Sequence, residues 1–96
     1  MIKVTETAFN KVLASFKELD DEYDVELVEF YDRYGTGEDI GIVLRDNNDG
    51  EQVSAQLRSG RVLNMTGLDE TVIIQDDEAK TAEDVVATIL YMANLY

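Results

Sequence analysis

The chain contains no cysteine, no histidine, no proline and no tryptophan. Without cysteine there is no disulfide, no thiolate nucleophile and no cysteine-held metal. Without histidine the usual neutral-pH base and the commonest metal ligand are missing, as are both Ser-His and Cys-His nucleophile systems. Lack of proline removes ring-induced kinks and slow X-Pro isomerisation. Positive charge is scarce, at 8 Lys and Arg against 21 Asp and Glu, a net charge of −13 at pH 7. That balance argues against direct binding to nucleic acid or to an anionic membrane, where cationic side chains supply the affinity. No apolar run reaches membrane-spanning length, and the opening Met1-Ile2-Lys3-Val4-Thr5-Glu6 leads into no signal core, so a cytoplasmic location is expected.

What is present is enough for one domain. The 96 residues are 45% hydrophobic, which supports a thin packed core across residues 1–96 and separates the chain from disordered acidic tails. No repeat, linker or low-complexity segment interrupts it.

Ile2 to Val4 reads as a short strand, and Thr5 as the N-cap of a helix over residues 6–21. Phe9, Val12, Leu13, Phe16 and Leu19 recur at spacings of three and four and define its apolar stripe. Residues 25–32 read as a strand with imperfect alternation: Val28 and Phe30 share a face with Glu26, while Val25 and Leu27 take the other, as a bulge or partial cover on both faces would cause. A turn over Tyr34-Gly35-Thr36-Gly37-Glu38-Asp39 follows. The next strand alternates Ile40, Ile42 and Leu44 against Gly41, Val43 and Arg45. Asn47-Asn48-Asp49-Gly50 signals a hairpin that pairs Leu44 with Val53, Ile42 with Ala55 and Ile40 with Leu57.

A second hairpin follows. A two-residue Ser59-Gly60 loop puts Val62 opposite Leu57 but turns Leu63 and Met65 onto the polar face. A three-residue loop, Arg58-Ser59-Gly60, pairs Leu63 with Ala55 and Met65 with Val53, and is the expected version. Thr71 to Gln75 reads as a fifth strand after a turn at 67–70. Thr81 and Asp84 form a shortened capping box for a second, broadly apolar helix carrying Val85, Ile89, Met92 and Tyr96, with Val86, Leu90 and Ala93 beside them. The fold class is therefore α+β: an antiparallel meander of four to five strands with an N-terminal and a C-terminal helix packed on one face.

The chemistry offered is limited. Gly35-Thr36-Gly37 lacks the third glycine and following helix of a phosphate loop, and Glu38 and Asp39 repel phosphate. Asp46 to Glu51 resembles a calcium loop, but Arg45 stands where the first ligand belongs. Carboxylates alone can hydrolyse glycosides, yet that needs a saccharide-sized cleft which so thin a domain rarely provides. Neither catalysis nor a cofactor or metal is expected. The opening Ile2-Lys3-Val4-Thr5 followed by Ala8 resembles the start of A-type iron–sulfur carriers. Those hold their cluster by cysteines, so that function is not carried over.

Two surfaces stand out. Asp20, Asp21, Glu22, Tyr23, Asp24 and Glu26 form an acidic cluster with a tyrosine, and Asp76, Asp77 and Glu78 a second one. Glu18, Asp20 and Asp21 sit at the C-terminal end of the first helix, where its dipole disfavours anions by about 0.3–1 kcal/mol each. Tyr31 and Tyr34 add to a binding rim, while Tyr91 and Tyr96 read as edge packing. The other surface is the sheet face away from the helices, carrying Arg45, Arg58, Val43 and Gln56, with Gln52 and Val62 beside them. The leading expectation is a non-catalytic module for a basic protein partner, such as an acidic inhibitor, a nucleic-acid mimic or an immunity-type protein. The alternatives are a homo-oligomeric structural or phage-type accessory protein, acidic only for solubility, and a small carboxylate-based or metal-dependent enzyme.

Overall fold

Thr5 starts the first helix. It lies in the extended region, and its hydroxyl accepts the Ala8 N–H at 3.2 Å, filling one of the open donors of the first turn. The computed structural model describes residues 2–66 and 81–96. Its elements run α1 (Glu6–Leu19), β1 (Val25–Asp32), β2 (Asp39–Asp46), β3 (Gln52–Arg58), β4 (Arg61–Thr66) and α2 (Ala82–Met92). The strands pair antiparallel in the order β1-β2-β3-β4, with the two helices on one face, as the α+β reading required. The expected turn at 67–70, fifth strand at 71–75 and acidic group Asp76-Asp77-Glu78 lie outside the described residues. Among the described residues, the expected strand at Ile2 to Val4 does not form. Among them, that segment is tied by the Val4 N–H, which donates to the Gly37 carbonyl at 2.9 Å.

The first hairpin has the expected register, with Leu44 opposite Val53, Ile42 opposite Ala55 and Ile40 opposite Leu57. All six side chains are buried. Parity therefore sends Asp39, Gly41, Val43 and Arg45 to the outer face. In β1 the ladder slips between Leu27 and Glu29, leaving Val28 as the extra residue. The bulge shifts the inward side from Val25 and Leu27 to Phe30, which meets Phe9 of α1 edge-on at 6.1 Å.

The second hairpin departs from expectation. Arg58 pairs with Arg61 and Leu57 with Val62, so the loop has two residues, Ser59 and Gly60. Both take positive φ, 53° and 80°, as a type I′ turn requires. The ladder then slips, and Met65 returns inward opposite Ala55 rather than Val53. Val62 is thus a core residue, not a neighbour of the outer-face arginines, and Leu63 is partly exposed instead of buried. The cause is that Val62 and Met65 both seek the core at a spacing of three. An uninterrupted ladder cannot satisfy that, whereas one unpaired residue can.

Helix α2 is capped by Thr81, whose hydroxyl accepts the Asp84 N–H while the Asp84 carboxylate accepts the Thr81 N–H. Val85, Val86, Ile89 and Leu90 are fully buried and join α1 and the sheet in one core. The helices run in the same direction. Lys11 reaches Glu83 at 3.4 Å early in the pair, and Phe16 meets Tyr91 late in it. A backbone hydrogen bond first, then Lys11, holds the Glu83 carboxyl below its ordinary range.

Two substitutions test this register. Val62→Ser should cost more than about 2 kcal/mol by placing an unpaired hydroxyl in the core, and Leu63→Ser less than about 1 kcal/mol. Urea midpoints in the opposite order would restore the three-residue loop. Gly60→Ala should lose about 1–3 kcal/mol, since the site needs positive φ. A Cβ there also meets the Ile2 Cβ at 2.9 Å.

Candidate functional site

The site is built where both helices end. α1 ends at Leu19, two residues before the expected boundary, with Asp20 as its C-cap. The Asp20 N–H closes the helix on the Phe16 carbonyl at 3.1 Å. Its carboxylate then accepts the Glu22 N–H at 3.0 Å, and its carbonyl the Tyr23 N–H at 3.0 Å. An aspartate at this unfavourable end of the dipole thus has a local task, folding the exit turn. The turn brings Tyr23 back under the helix, edge-on to Phe16 at 5.6 Å.

A distant loop locks that turn. The Asn48 side-chain amide donates to the Glu22 carbonyl at 2.9 Å. Asn47 donates through its backbone to the Asp24 carbonyl at 2.9 Å and through its side chain to the Asp24 carboxylate at 3.1 Å. The Asn47 side-chain oxygen Oδ1 in turn accepts from Arg45 Nε at 2.8 Å, and the Arg45 guanidinium pairs with Glu26. Asp24 and Glu26 are therefore engaged within the chain. The side chains of Glu18, Asp21 and Glu22 are exposed and make no hydrogen bond or ion pair among the described residues.

The end of α2 supplies the other half. Asn94 adopts positive φ, its N–H reaches the Tyr91 carbonyl at 3.1 Å, and the Leu95 N–H reaches the Leu90 carbonyl at 2.9 Å. This is the Schellman closure, with asparagine in the position that usually holds glycine. Leu95 is buried, and Tyr96 is thrown back onto Phe16, with ring centroids 4.1 Å apart. Tyr91 stands edge-on to Tyr96 at 4.8 Å, and Tyr23 meets Tyr96 at 6.0 Å. Tyr91 and Tyr96 pack on an edge as expected, yet they remain 57% and 50% exposed. Leu19, read as part of the apolar stripe, is 77% exposed beside the end of α1 because the helix stops there.

Electrostatically this pole is one-sided. The last turn of α1 holds a single cation, Lys17, and that of α2 holds none. Tyr23 is the inverse of a rim residue. Its hydroxyl is buried with no hydrogen-bond partner among the described residues. Burial, then the Asp46 charge and then Tyr96 push it well above the ordinary tyrosine range.

The second expected surface is largely satisfied within the chain. Arg45 pairs with Glu26, Arg58 lies 3.6 Å from the mostly buried Asp39, and Gln56 accepts from Asn64 at 3.3 Å. Val43 is half-buried between them. Gly35-Thr36-Gly37 is a hairpin turn whose Gly37 N–H sits on the Asp32 carboxylate at 3.0 Å. Asp46 and Asp49 accept the backbone N–H groups of Asn48 and Glu51, so the resemblance to a calcium loop is a turn network. No metal-holding group of carboxylates occurs among the described residues.

Sequence reasoning missed the roles of Asn47 and Asn48 and the stacking of Tyr96. Asn94 before Leu95 was the legible hint of a chain reversal, since asparagine tolerates positive φ.

Asn48→Ala should cost about 1 kcal/mol by stranding the Glu22 carbonyl, read by denaturant unfolding. Tyr23→Phe should leave stability at neutral pH unchanged or raised, because it deletes a buried hydroxyl. The folded Tyr23 keeps its proton where the unfolded one loses it, so wild-type stability should fall as pH rises above about 10. The Tyr23→Phe variant should fall less steeply, and parallel profiles would contradict this.

A scan against protein-family models finds no match, and searches of curated proteins and of solved structures likewise find none.

Proposed function

We propose that this protein is a non-catalytic binding module that presents Glu18, Asp21 and Glu22 to a basic partner protein, as acidic inhibitors, nucleic-acid mimics and immunity-type proteins do. The observation that carries the reading is the pole itself. Carboxylates without partners among the described residues stand on the last turn of α1 and on the locked turn after it, at the end where both helix dipoles are negative. A net charge of −13 adds long-range attraction for a cationic partner. Such a complex forms fast at low salt and weakens as salt rises.

The test is capture from a lysate of the source cells at low salt, with elution by a salt gradient, using wild type and Asp21→Asn/Glu22→Gln as parallel baits. A basic protein held by wild type should bind the variant about three- to tenfold more weakly at low salt, with the difference closing at high salt. Equal retention by the two baits would remove this site assignment.

A second reading rests on the outer sheet face. Arg45 and Arg58 are matched there by Glu26 and Asp39 within the chain. Such internal pairing lowers the like-charge repulsion between two copies that meet on that face. If this homo-oligomer reading holds, native mass measurement at rising concentration shows a dimer. A strict monomer removes it.

A further inference from the structure

The tyrosines at the pole have chemistry that acidity alone does not explain. Tyr96 rests against Phe16 at 4.1 Å and Tyr91 stands edge-on to it at 4.8 Å, which fixes both rings. Half or more of each remains in solvent. Fixed, exposed phenol rings beside carboxylates match one cation better than any other. Guanidinium is planar, weakly hydrated, stacks on aromatic faces and pairs with carboxylates through its fork of donors, whereas ammonium is compact and strongly hydrated. The carboxylates are at hand. Asp21 and Glu22 lie in the turn that carries Tyr23, whose ring meets Tyr96 at 6.0 Å. The same pairing already occurs within this chain, where the Arg33 guanidinium lies 5.2 Å from the centre of the Tyr34 ring.

We infer that Tyr91 and Tyr96 form an arginine-reading subsite. An arginine of the basic partner stacks on the exposed tyrosines while Asp21 or Glu22 neutralises it. This rests on the binding-module reading and adds which cation the partner presents. The carboxylates supply attraction for any cation, and the rings select arginine over lysine.

The probe is a labelled peptide alternating arginine with glycine, compared with its lysine counterpart by fluorescence anisotropy at low salt. Wild type should bind the arginine peptide about tenfold more tightly, the sum of two exposed cation–π contacts. Tyr91→Leu/Tyr96→Leu should erase that preference, and Tyr91→Phe/Tyr96→Phe should keep most of it. Asp21→Asn/Glu22→Gln should weaken both peptides alike. The single Tyr91→Leu variant, whose ring is the more exposed, guards against misfolding of the double variant and should lose about threefold for arginine alone. Amide shifts on adding the arginine peptide should centre on residues 16–22 and 91–96. Equal affinity of wild type for the two peptides overturns the inference, as does a folded Tyr91→Leu variant with full preference. If binding stays sensitive to Asp21 and Glu22 but not to the tyrosines, only the subsite falls. If wild type binds neither peptide, the binding-module reading falls with it.

Discussion

The loop from Asp46 to Gly50 makes two distant parts of the chain depend on one another. Its turn is closed by the Asp46 carbonyl, which accepts the Gly50 N–H at 2.8 Å, and by the Glu51 carbonyl, which accepts the Asp46 N–H at 2.9 Å. That closure sets Arg45 opposite Gln52, and the register then carries Leu44, Ile42 and Ile40 onto Val53, Ala55 and Leu57 at the centre of the core. The same loop points Asn47 and Asn48 sideways onto the segment between α1 and β1. A shift of one residue in the hairpin would therefore expose the inner face of the sheet and release the exit turn of α1 together. The acidic pole is held by the same turn that registers the sheet.

This coupling explains why some of the structure could be read from the sequence and some could not. Alternation in β2 and β3, with the Asn-Asn-Asp-Gly turn between them, has one register that buries all six apolar side chains, and it is the register found. Thr5 and Thr81 marked both helix starts because a hydroxyl before a first turn has few other uses. The β3–β4 hairpin failed for a definable reason. Alternation distinguishes only ladders without interruption, whereas the chain uses a tight turn followed by a slip. The bulge at Val28 was legible only because its flanking pattern already broke parity.

The site was legible as composition and not as geometry. Asp20, Asp21, Glu22, Asp24 and Glu26 read as one acidic run, but the fold gives them different work. Asp20 bends the chain, Asp24 receives Asn47, Glu26 faces Arg45, and Asp21 and Glu22 face solvent. Spacing along a strand or helix does not predict such divisions, because each depends on a partner from another element. The aromatic half was hidden for the same reason. Tyr96 reads as a fourth position on the stripe of α2, whereas the helix ends at Met92 and the closure at Asn94 delivers the ring to Phe16 from outside the helix.

The charges at the pole run against the local rule, and the proposal that they face a partner rests on that cost. A carboxylate at an exposed helix C-terminus costs about 0.3–1 kcal/mol, less as salt screens it. Asp20 offsets its cost by building the exit turn. Glu18 and Asp21 have no such offset, since neither makes a hydrogen bond or ion pair among the described residues. Solubility does not require them at this position, because a chain with 21 acidic residues has other places for charge. The exposed Tyr91 and Tyr96 run against a second rule, since rings left half in solvent forgo part of the burial that stabilises a small domain. Two different local costs meet at one end of the molecule. A partner that covers the rings and neutralises the carboxylates removes both at once.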